Sequence, residues 1–266
     1  MKKRLGNLER QLFAFVQMRG KRILQTGDLL NFLQINSKQE RELLDRLNSF
    51  GIISQVRRGL YLVPEKLPLG GKWSPTDILA INTIIQDQNG MYQICGPNAF
   101  NRYGFDEQIP TRTYVYNNRL SEERTIGAIS ITLIKVNDNR LGDVEEVKTR
   151  EGETGLYSSR RRSLLDAVYD WSRFNTLPRA FLWIEKEIAS KRVSPKDIVE
   201  VTLQYADVGT MRRIGFVLDK LGTQKSLLGK LQKVLKPSTS FIPLIPFLPK
   251  RGSIDRQWGV VINGEW

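Results

Sequence analysis

The stretch FGIISQVRRGLYLV, residues 50–63, decides how the first part of the chain is predicted to fold. It contains two short β-favouring runs, residues 52–56 and 60–63, separated by Arg57, Arg58 and Gly59. Two such runs around a turn with glycine predict a β-hairpin. Because the hairpin carries two arginines at its tip, its neighbours in the sequence decide whether it faces a negatively charged partner.

Three helices are predicted ahead of the hairpin. Residues 5–18 and 28–33 have apolar side chains at helical spacing, and Thr26 is the expected cap of the second helix. The third helix begins at SKQE, residues 37–40, which fits a capping box between Ser37 and Glu40. Its apolar stripe, residues 43, 44 and 47, turns the following side chains outward: Lys38, Arg41, Glu42, Asp45 and Ser49.

Three helices followed by a hairpin is the order of a winged helix-turn-helix, in which the third helix enters the major groove of DNA. The hairpin tip then lies beside that helix and reaches a phosphate or the minor groove. The predicted DNA-binding residues are Lys38, Gln39, Arg41, Arg57 and Arg58, with Lys21 and Arg22 as phosphate contacts ahead of the second helix. The alternative is a solvated turn on a small α+β domain, because arginine at a hairpin tip is ordinarily exposed.

The charge of the chain is unevenly distributed. The 266 residues include 41 Lys plus Arg and 28 Asp plus Glu, a net charge of +13. Residues 1–70 hold 13 basic against 6 acidic side chains, residues 71–150 hold 9 against 10, and residues 151–266 hold 19 against 12. Two basic parts flank a nearly neutral middle, which favours nucleic acid as the partner class.

Residue types that the chain lacks exclude several function classes. There is no histidine, which excludes Ser-His and Cys-His catalysis and His-based zinc sites. The single cysteine, Cys95, cannot form an internal disulfide and is expected to be buried and inert. We expect no catalytic residue, no metal site and no cofactor. No apolar run approaches the ~20 residues of a membrane span, so we expect a cytoplasmic protein without a membrane partner.

The predicted fold class is α+β. Residues 1–66 form the winged helix-turn-helix, residues 67–73 a linker, and residues 74–266 a C-terminal domain with a mixed α/β part (74–150) and a mainly helical part (151–266). Strands are predicted at residues 91–94, 112–116, 128–136 and 258–262. Helices are predicted from Ser74 onward and at residues 97–103, 164–174, 180–189, 196–205, 210–221 and 227–235. The proline-rich tail, residues 237–250, should lie extended over the helices.

Two groups of charged residues in the C-terminal domain leave alternatives open. Arg160, Arg161, Arg162, Arg212 and Arg213 lie at predicted helix starts, where cations are unusual because the amino end of a helix is its positive end. They form either a functional surface or internal pairs with carboxylates such as Asp166 and Asp207. The second group, Glu145, Glu146, Glu151 and Glu153, is interpreted as a charged loop.

Five blocks of the chain resemble the AbiEi-type antitoxins of bacterial type IV toxin–antitoxin systems. They are RRGLYLVP at 57–64, YQICGPNAFNRYGFDEQIPTRTYVYNN at 92–118, RRRSLLDAVYD at 160–170, RRIGFVLDKLG at 212–222 and WGVVING at 258–264. The resemblance spans nearly the whole chain and rests on the order and spacing of the blocks. This chain departs from the family pattern in having no acid just ahead of the arginines of RRRSLLD.

The resemblance implies a transcriptional autorepressor whose N-terminal domain binds inverted repeats of double-stranded DNA in its own promoter. The remainder would counteract a nucleotidyltransferase-like toxin encoded beside it, without a stable complex, and the arginines at 160–162 and 212–213 are candidates for the antitoxin surface. The alternative is a winged-helix regulator whose C-terminal domain senses a ligand or another protein. A third hypothesis, an RNA-acting or restriction-type enzyme, would require Glu145 and Glu146 to act in metal-dependent cleavage.

Overall fold

A computed structural model describes residues 6–66, 72–235 and 240–265 of the chain. It confirms a mixed α+β fold. Most of the predicted linker, residues 67–71, and part of the predicted tail, residues 237–239, lie outside the described residues. Every helix in the described ranges is too short or too polar to cross a membrane.

The N-terminal region, residues 6–66, combines helices with a three-stranded antiparallel sheet of order β1-β3-β2. Its elements are α1 (Asn7–Arg19), β1 (Ile23–Gln25), α2 (Leu30–Leu33), α3 (Ser37–Ser49), β2 (Ser54–Arg57) and β3 (Leu60–Leu62). The predicted hairpin is confirmed as β2 and β3, whereas β1 was not predicted. Leu43, Leu44 and Leu47 of α3 are buried against α1, so the predicted apolar stripe of α3 is also confirmed.

The capping box of α3 lies one residue earlier than predicted. Asn36 is the cap: its side chain accepts from the backbone amides of Lys38 and Gln39, and the Gln39 side chain accepts from the Asn36 amide. Glu40 instead points inward and is fully buried. Its carboxylate accepts from the backbone amides of Gly27 at 2.7 Å and Leu29 at 3.0 Å, just before α2. The acid therefore caps α2, and the predicted role of Thr26 as the side-chain cap of α2 is wrong.

The second region holds a six-stranded mixed sheet of order β6-β7-β5-β4-β9-β8. Its elements are α4 (Asp77–Asp87), β4 (Tyr92–Ile94), α5 (Pro97–Arg102), β5 (Thr113–Asn117), β6 (Glu122–Ile126), β7 (Ile129–Lys135), β8 (Val144–Lys148) and β9 (Thr154–Ser158). Strands β6, β8 and β9 were not predicted. Glu145 and Glu146 lie on β8, so their assignment to a loop is wrong. Charged residues are common on an exposed edge strand, and they hide the alternating pattern that reveals a strand.

The N-terminal sheet shares an apolar cluster with the second region. Val56, Leu60 and Leu62 of the hairpin are buried with residues of α4 and of the six-stranded sheet, among them Ile78 and Ile131. Trp73, which was assigned to the linker, packs against this cluster and its amide donates to the carbonyl of Gly51 at 2.7 Å. The apolar face of the hairpin is therefore packed against α4 and the six-stranded sheet.

The third region is helical and ends in a small sheet. Its elements are α6 (Arg160–Tyr169), α7 (Trp171–Phe174), α8 (Arg179–Ala189), α9 (Pro195–Tyr205), α10 (Val208–Lys220), α11 (Lys225–Val234), β10 (Ile242–Pro243), β11 (Ser253–Asp255) and β12 (Val260–Ile262). The described part of the tail lies on these helices: Leu244 and Ile245 are buried with α10 and α11 in one cluster, which also contains Trp258 from the segment after the tail. The predicted final strand is confirmed as β12. Helices α6 and α7 meet at Asp170, so residues 164–174 do not form one continuous helix.

Candidate nucleic-acid interface

A groove of about 650 Å³ lies between the outward face of α3 and the β2–β3 hairpin. It is lined by Thr26, Ser37, Lys38, Arg41, Glu42, Asp45, Gln55, Arg58, Gly59 and Tyr61. Helix α3 supplies one wall because its apolar stripe is buried, which leaves the opposite stripe in solvent. Gly59, in the turn of the hairpin, has a φ of +79° that other residues rarely adopt, and its carbonyl accepts from the Thr26 amide at 2.9 Å.

Three cations around this groove are available to an external anion. Lys38, Arg41 and Arg58 are exposed, and none of them forms an ion pair within the described part of the chain. The Nε atom of Arg41 donates to the carbonyl of Ser37 at 3.2 Å, which holds the arginine stem along the first turns of α3. The structure thus brings together three of the predicted DNA-binding residues.

The two acidic residues of the same wall have different surroundings. Asp45 accepts from the hydroxyl of Tyr61 at 3.1 Å, so its carboxylate is engaged with the floor of the groove. Burial, together with this hydrogen bond, raises the pKa of Tyr61 to about 12 and keeps the phenol protonated. The side chain of Glu42 makes no hydrogen bond or ion pair within the described residues, so Glu42 is the acid that faces a ligand.

Arg57 does not join Arg58 at the groove. Its guanidinium binds Asp87, the last residue of α4, with Nε donating to Oδ2 at 2.7 Å and Nη2 to Oδ1. This hydrogen bond raises the pKa of Arg57 and lowers the pKa of Asp87. The two neighbouring arginines therefore differ, since Arg57 fastens the hairpin to α4 while Arg58 remains available.

The other predicted DNA-binding residues also have internal partners. Lys21 forms an ion pair with Asp28 at 2.9 Å. Arg22 forms one with Glu153, the residue immediately before β9. The carboxamide oxygen of Gln39 is used in the capping box with Asn36. These contacts place the residues around the rim of the N-terminal region without directing their polar groups into the groove.

Three of the five C-terminal arginines are buried, so of the two alternatives that the sequence left open, a functional surface does not apply to them. Arg162 has no exposed surface, and its Nε donates to Asp166 at 2.9 Å while its guanidinium covers the Tyr205 ring at 4.0 Å. Arg212 and Arg213 are less than a tenth exposed. They donate to carbonyl groups of the tail at residues 240, 243 and 244.

The remaining two arginines, Arg160 and Arg161, are partly exposed but paired. Arg160 donates to Glu187 at 2.9 Å and lies over the Tyr103 ring at 4.9 Å. Arg161 binds Asp143 through Nε and Nη2, and this hydrogen bonding raises the pKa of Arg161. Internal pairing, the alternative left open by the sequence, therefore describes all three arginines of the first cluster.

Sequence reasoning missed three residues that line the groove. Thr26 comes from the turn after β1, Gln55 from β2 and Tyr61 from β3. A tyrosine in an alternating strand is usually read as a core residue, and Tyr61 is indeed only 3% exposed. Its hydroxyl reaches the groove because it binds Asp45, a contact that links two elements 16 residues apart.

No model of a known protein family and no curated protein matches the chain. Among solved structures, the chain is similar to the RV2827C protein from Mycobacterium tuberculosis, which is known from a crystal structure. The match covers 97% of this chain and 92% of that chain, with a TM-score of 0.60 and 13% sequence identity. At this identity the similarity concerns the fold alone, and it extends over all three regions described above.

Proposed function

We propose that this protein is a DNA-binding transcriptional repressor and the antitoxin of a type IV toxin–antitoxin pair. In this proposal, the N-terminal region is a winged helix-turn-helix that binds inverted repeats in the promoter of its own operon. The observation that carries the DNA-binding half is the groove between α3 and the hairpin, where Lys38, Arg41 and Arg58 form no ion pair with any carboxylate of the described residues. Phosphate contacts by such cations supply most of the affinity of DNA-binding proteins.

The dimensions of α3 suit a recognition helix. Its 13 residues extend over about 20 Å at 1.5 Å per residue, and Lys38 and Arg41 lie in its first turns. In helix-turn-helix complexes, the N-terminal part of the recognition helix contacts base edges in the major groove. Lys38 and Arg41 are therefore assigned to bases or to the phosphates that flank them, and Arg58 to the backbone or the minor groove.

Glu42 is assigned a role in sequence preference. A carboxylate near DNA repels phosphate but accepts a hydrogen bond from the N4 amino group of cytosine. Asp45 accepts a hydrogen bond from Tyr61, whereas the side chain of Glu42 has no partner within the described residues. Glu42 is therefore the acid on this wall that meets the DNA. It would disfavour sites that lack a donor at the matching position.

The antitoxin half rests on the resemblance of the five sequence blocks to AbiEi-type antitoxins. The functional partner would be a nucleotidyltransferase-like toxin, and no stable complex with it is expected. Of the predicted antitoxin residues, Arg160 and Arg161 keep partly exposed guanidinium groups, so they remain the candidates. The proposal assigns the protein no enzymatic activity, cofactor or metal.

Binding to the DNA upstream of its own gene tests the repressor half. Fluorescence anisotropy at salt concentrations from about 50 to 200 mM should show a steep fall in affinity as salt rises. The variant Lys38→Ala/Arg41→Ala/Arg58→Ala should lose most of this binding, and Lys186→Ala, an exposed lysine of α8, is the matched control. Absence of binding at low salt would exclude the repressor half.

The antitoxin half is tested with the full-length chain, because the hairpin and α4 share a core that truncation would expose. The triple variant is co-expressed with the neighbouring toxin gene under an unrelated promoter. We expect it to lose repression and to keep neutralising the toxin, as the wild type does. Failure of the wild-type protein to rescue growth would exclude the antitoxin half and leave the repressor half intact.

A further inference from the structure

The six-stranded sheet is open between β4 and β9. These strands are parallel neighbours, but a single pair, Ile94 and Tyr157, joins them. The residues that precede this pair on both strands line a cleft of about 600 Å³, which we name the β4–β9 cleft. Its volume falls within the range of about 300–1,000 Å³ that is usual for small-molecule sites.

The walls of the β4–β9 cleft are held apart by independent contacts. Strand β4 is fixed by three antiparallel pairs with β5, and β9 by five with β8. Helix α4 closes one side, where its Asn82 side chain donates to the carbonyl of Thr154 at 3.0 Å. On another side of the cleft, the amide of Gly142 donates to the Gln93 side chain at 2.8 Å. These contacts fix the walls of the cleft in place.

The lining of the cleft carries no charge. Twelve residues line it and none is Asp, Glu, Lys or Arg, although 26% of the chain is charged. Apolar contact surface comes from Ile85, Met91, Leu141, Val144 and Leu156. A phosphate or carboxylate would find no counter-charge among these groups, so the lining favours an uncharged ligand with an apolar body.

Three carboxamides add hydrogen-bonding groups to this lining. In both Asn82 and Gln93, hydrogen bonds within the described residues occupy one amide hydrogen and one oxygen lone pair. Asn82 binds Thr154 and Tyr92, and Gln93 binds Ser158 and Gly142. A carboxamide offers two of each, so each keeps one donor and one acceptor. The Gln86 side chain makes no hydrogen bond within the described residues. These groups match the carbonyl or ring nitrogen of a neutral heterocycle.

We propose that the β4–β9 cleft binds an uncharged small molecule with an apolar body and a carbonyl-type polar edge. Preformed apolar pockets with a few fixed polar groups are the usual form of such sites. The proposal is independent of the DNA-binding and antitoxin proposals, because binding to the cleft is measured on the protein alone.

Nile red is the probe for this site, because it is an uncharged fused-ring compound with a carbonyl group and fluoresces in apolar surroundings. It should bind the wild-type protein saturably with one site per chain. Met91→Trp and Val144→Trp replace half-exposed residues of the lining and should weaken binding at least tenfold by filling the cleft. Ile254→Trp, at an equally exposed position of β11, should leave binding unchanged. Unsaturable binding, or equal affinity in all variants, would overturn the proposal.

Thiol protection locates the probe even if the tryptophan variants fold poorly. Cys95 is fully buried, and burial raises the pKa of its thiol, so it does not compete with an introduced thiol for iodoacetamide. Nile red should slow the alkylation of Met91→Cys and leave that of Ile254→Cys unchanged. Equal rates with and without the probe in Met91→Cys would overturn the proposal.

Discussion

Arg57, the last residue of β2, binds Asp87, the last residue of α4, through both nitrogens of one edge of its guanidinium. The two residues are 30 positions apart, and the contact joins the N-terminal hairpin to the second region. Arg57 is 46% exposed at its side chain and Asp87 only 14%. Arg57 therefore attaches the hairpin to α4, and the attached hairpin exposes Arg58 to solvent.

The two neighbouring arginines should respond differently to substitution. Arg58→Ala removes a cation that has no ion-pair partner among residues 6–66, 72–235 and 240–265, so it should weaken DNA binding across all sequences and reduce the log-log salt slope by about 0.9. Arg57→Ala should change that slope less, because its charge is already neutralised by Asp87. Fluorescence anisotropy over a salt series distinguishes them. An equal loss of slope in both variants would mean that the ion pair opens on DNA.

The ion pair should contribute to stability in a defined pH range. Hydrogen bonding by Arg57 lowers the pKa of Asp87, so its contribution is present above the ordinary carboxyl pKa near 3.8 and is lost as pH falls through the lowered value. Asp87→Asn should reduce the free energy of unfolding by up to about 1 kcal/mol at pH 7, since the pair is half exposed. Urea unfolding from pH 7 to pH 3 should show this difference shrinking below about pH 4. A difference that is constant with pH would contradict the assignment.

The buried carboxylate of Glu40 should be necessary for the fold of the N-terminal region. Glu40→Ala leaves the amides of Gly27 and Leu29 without their acceptor. An unsatisfied buried group costs about 1–3 kcal/mol, and of these two residues only Leu29 is buried, so we expect a loss of about 1–3 kcal/mol in the free energy of unfolding. Glu42→Ala, which removes an exposed acid of the same helix, is the control and should change stability by less than about 0.5 kcal/mol. Circular dichroism during urea unfolding measures both.

Asp166 should be one of the most sensitive positions of the helical region. Its Oδ1 atom accepts from Arg162 at 2.9 Å and from Arg140 at 3.0 Å, and the carboxylate has no exposed surface. Asp166→Ala would leave two guanidinium groups without their shared anion, and we expect a loss of about 3–5 kcal/mol. Glu200→Ala, which breaks a half-exposed contact with Arg161, should cost less than about 1 kcal/mol. Similar losses in both variants would contradict the role of burial.

Two glycines in helices offer a matched test of how the segment around Trp258 packs on the helices. A Cβ atom at Gly215 in α10 would lie 2.1 Å from the Trp258 ring, whereas one at Gly229 in α11 meets nothing within 4 Å. Gly215→Ala should therefore destabilise the protein by about 1–3 kcal/mol and increase the solvent exposure of Trp258. Gly229→Ala should stabilise it by up to about 1 kcal/mol through helix propensity. Thermal melts and tryptophan fluorescence quenching measure the two effects.

Local patterns predicted the elements that have a strong pattern of their own. The apolar stripe of α3, the hairpin and the helix predicted at residues 196–205, which is α9, all appear in the structure because each depends on residues within a few positions. Strands β6 and β8 were missed because charged residues interrupt their alternation. Such strands form because a neighbouring strand supplies hydrogen bonds, and that neighbour cannot be read from the strand itself.

The capping of α3 shows how two similar local solutions are separated. Both Asn36 with Gln39 and Ser37 with Glu40 have the spacing of a capping box. The structure uses the first pair, because Glu40 is required 11 residues away at the amide of Leu29. A local rule identified the start of the helix to within one residue, and a tertiary contact selected the partner.

The sequence by itself determined the α+β class, the outward face of α3 and the exposure of Lys38 and Arg41, because helical periodicity and charge separate the two sides of a helix. Only the tertiary structure decided which arginines are available. Arg58 is available, Arg57 is held by Asp87, and Arg162 is buried on Asp166. The reason is that the availability of a charge depends on the carboxylates that packing brings near it, and Asp87 lies 30 positions from Arg57.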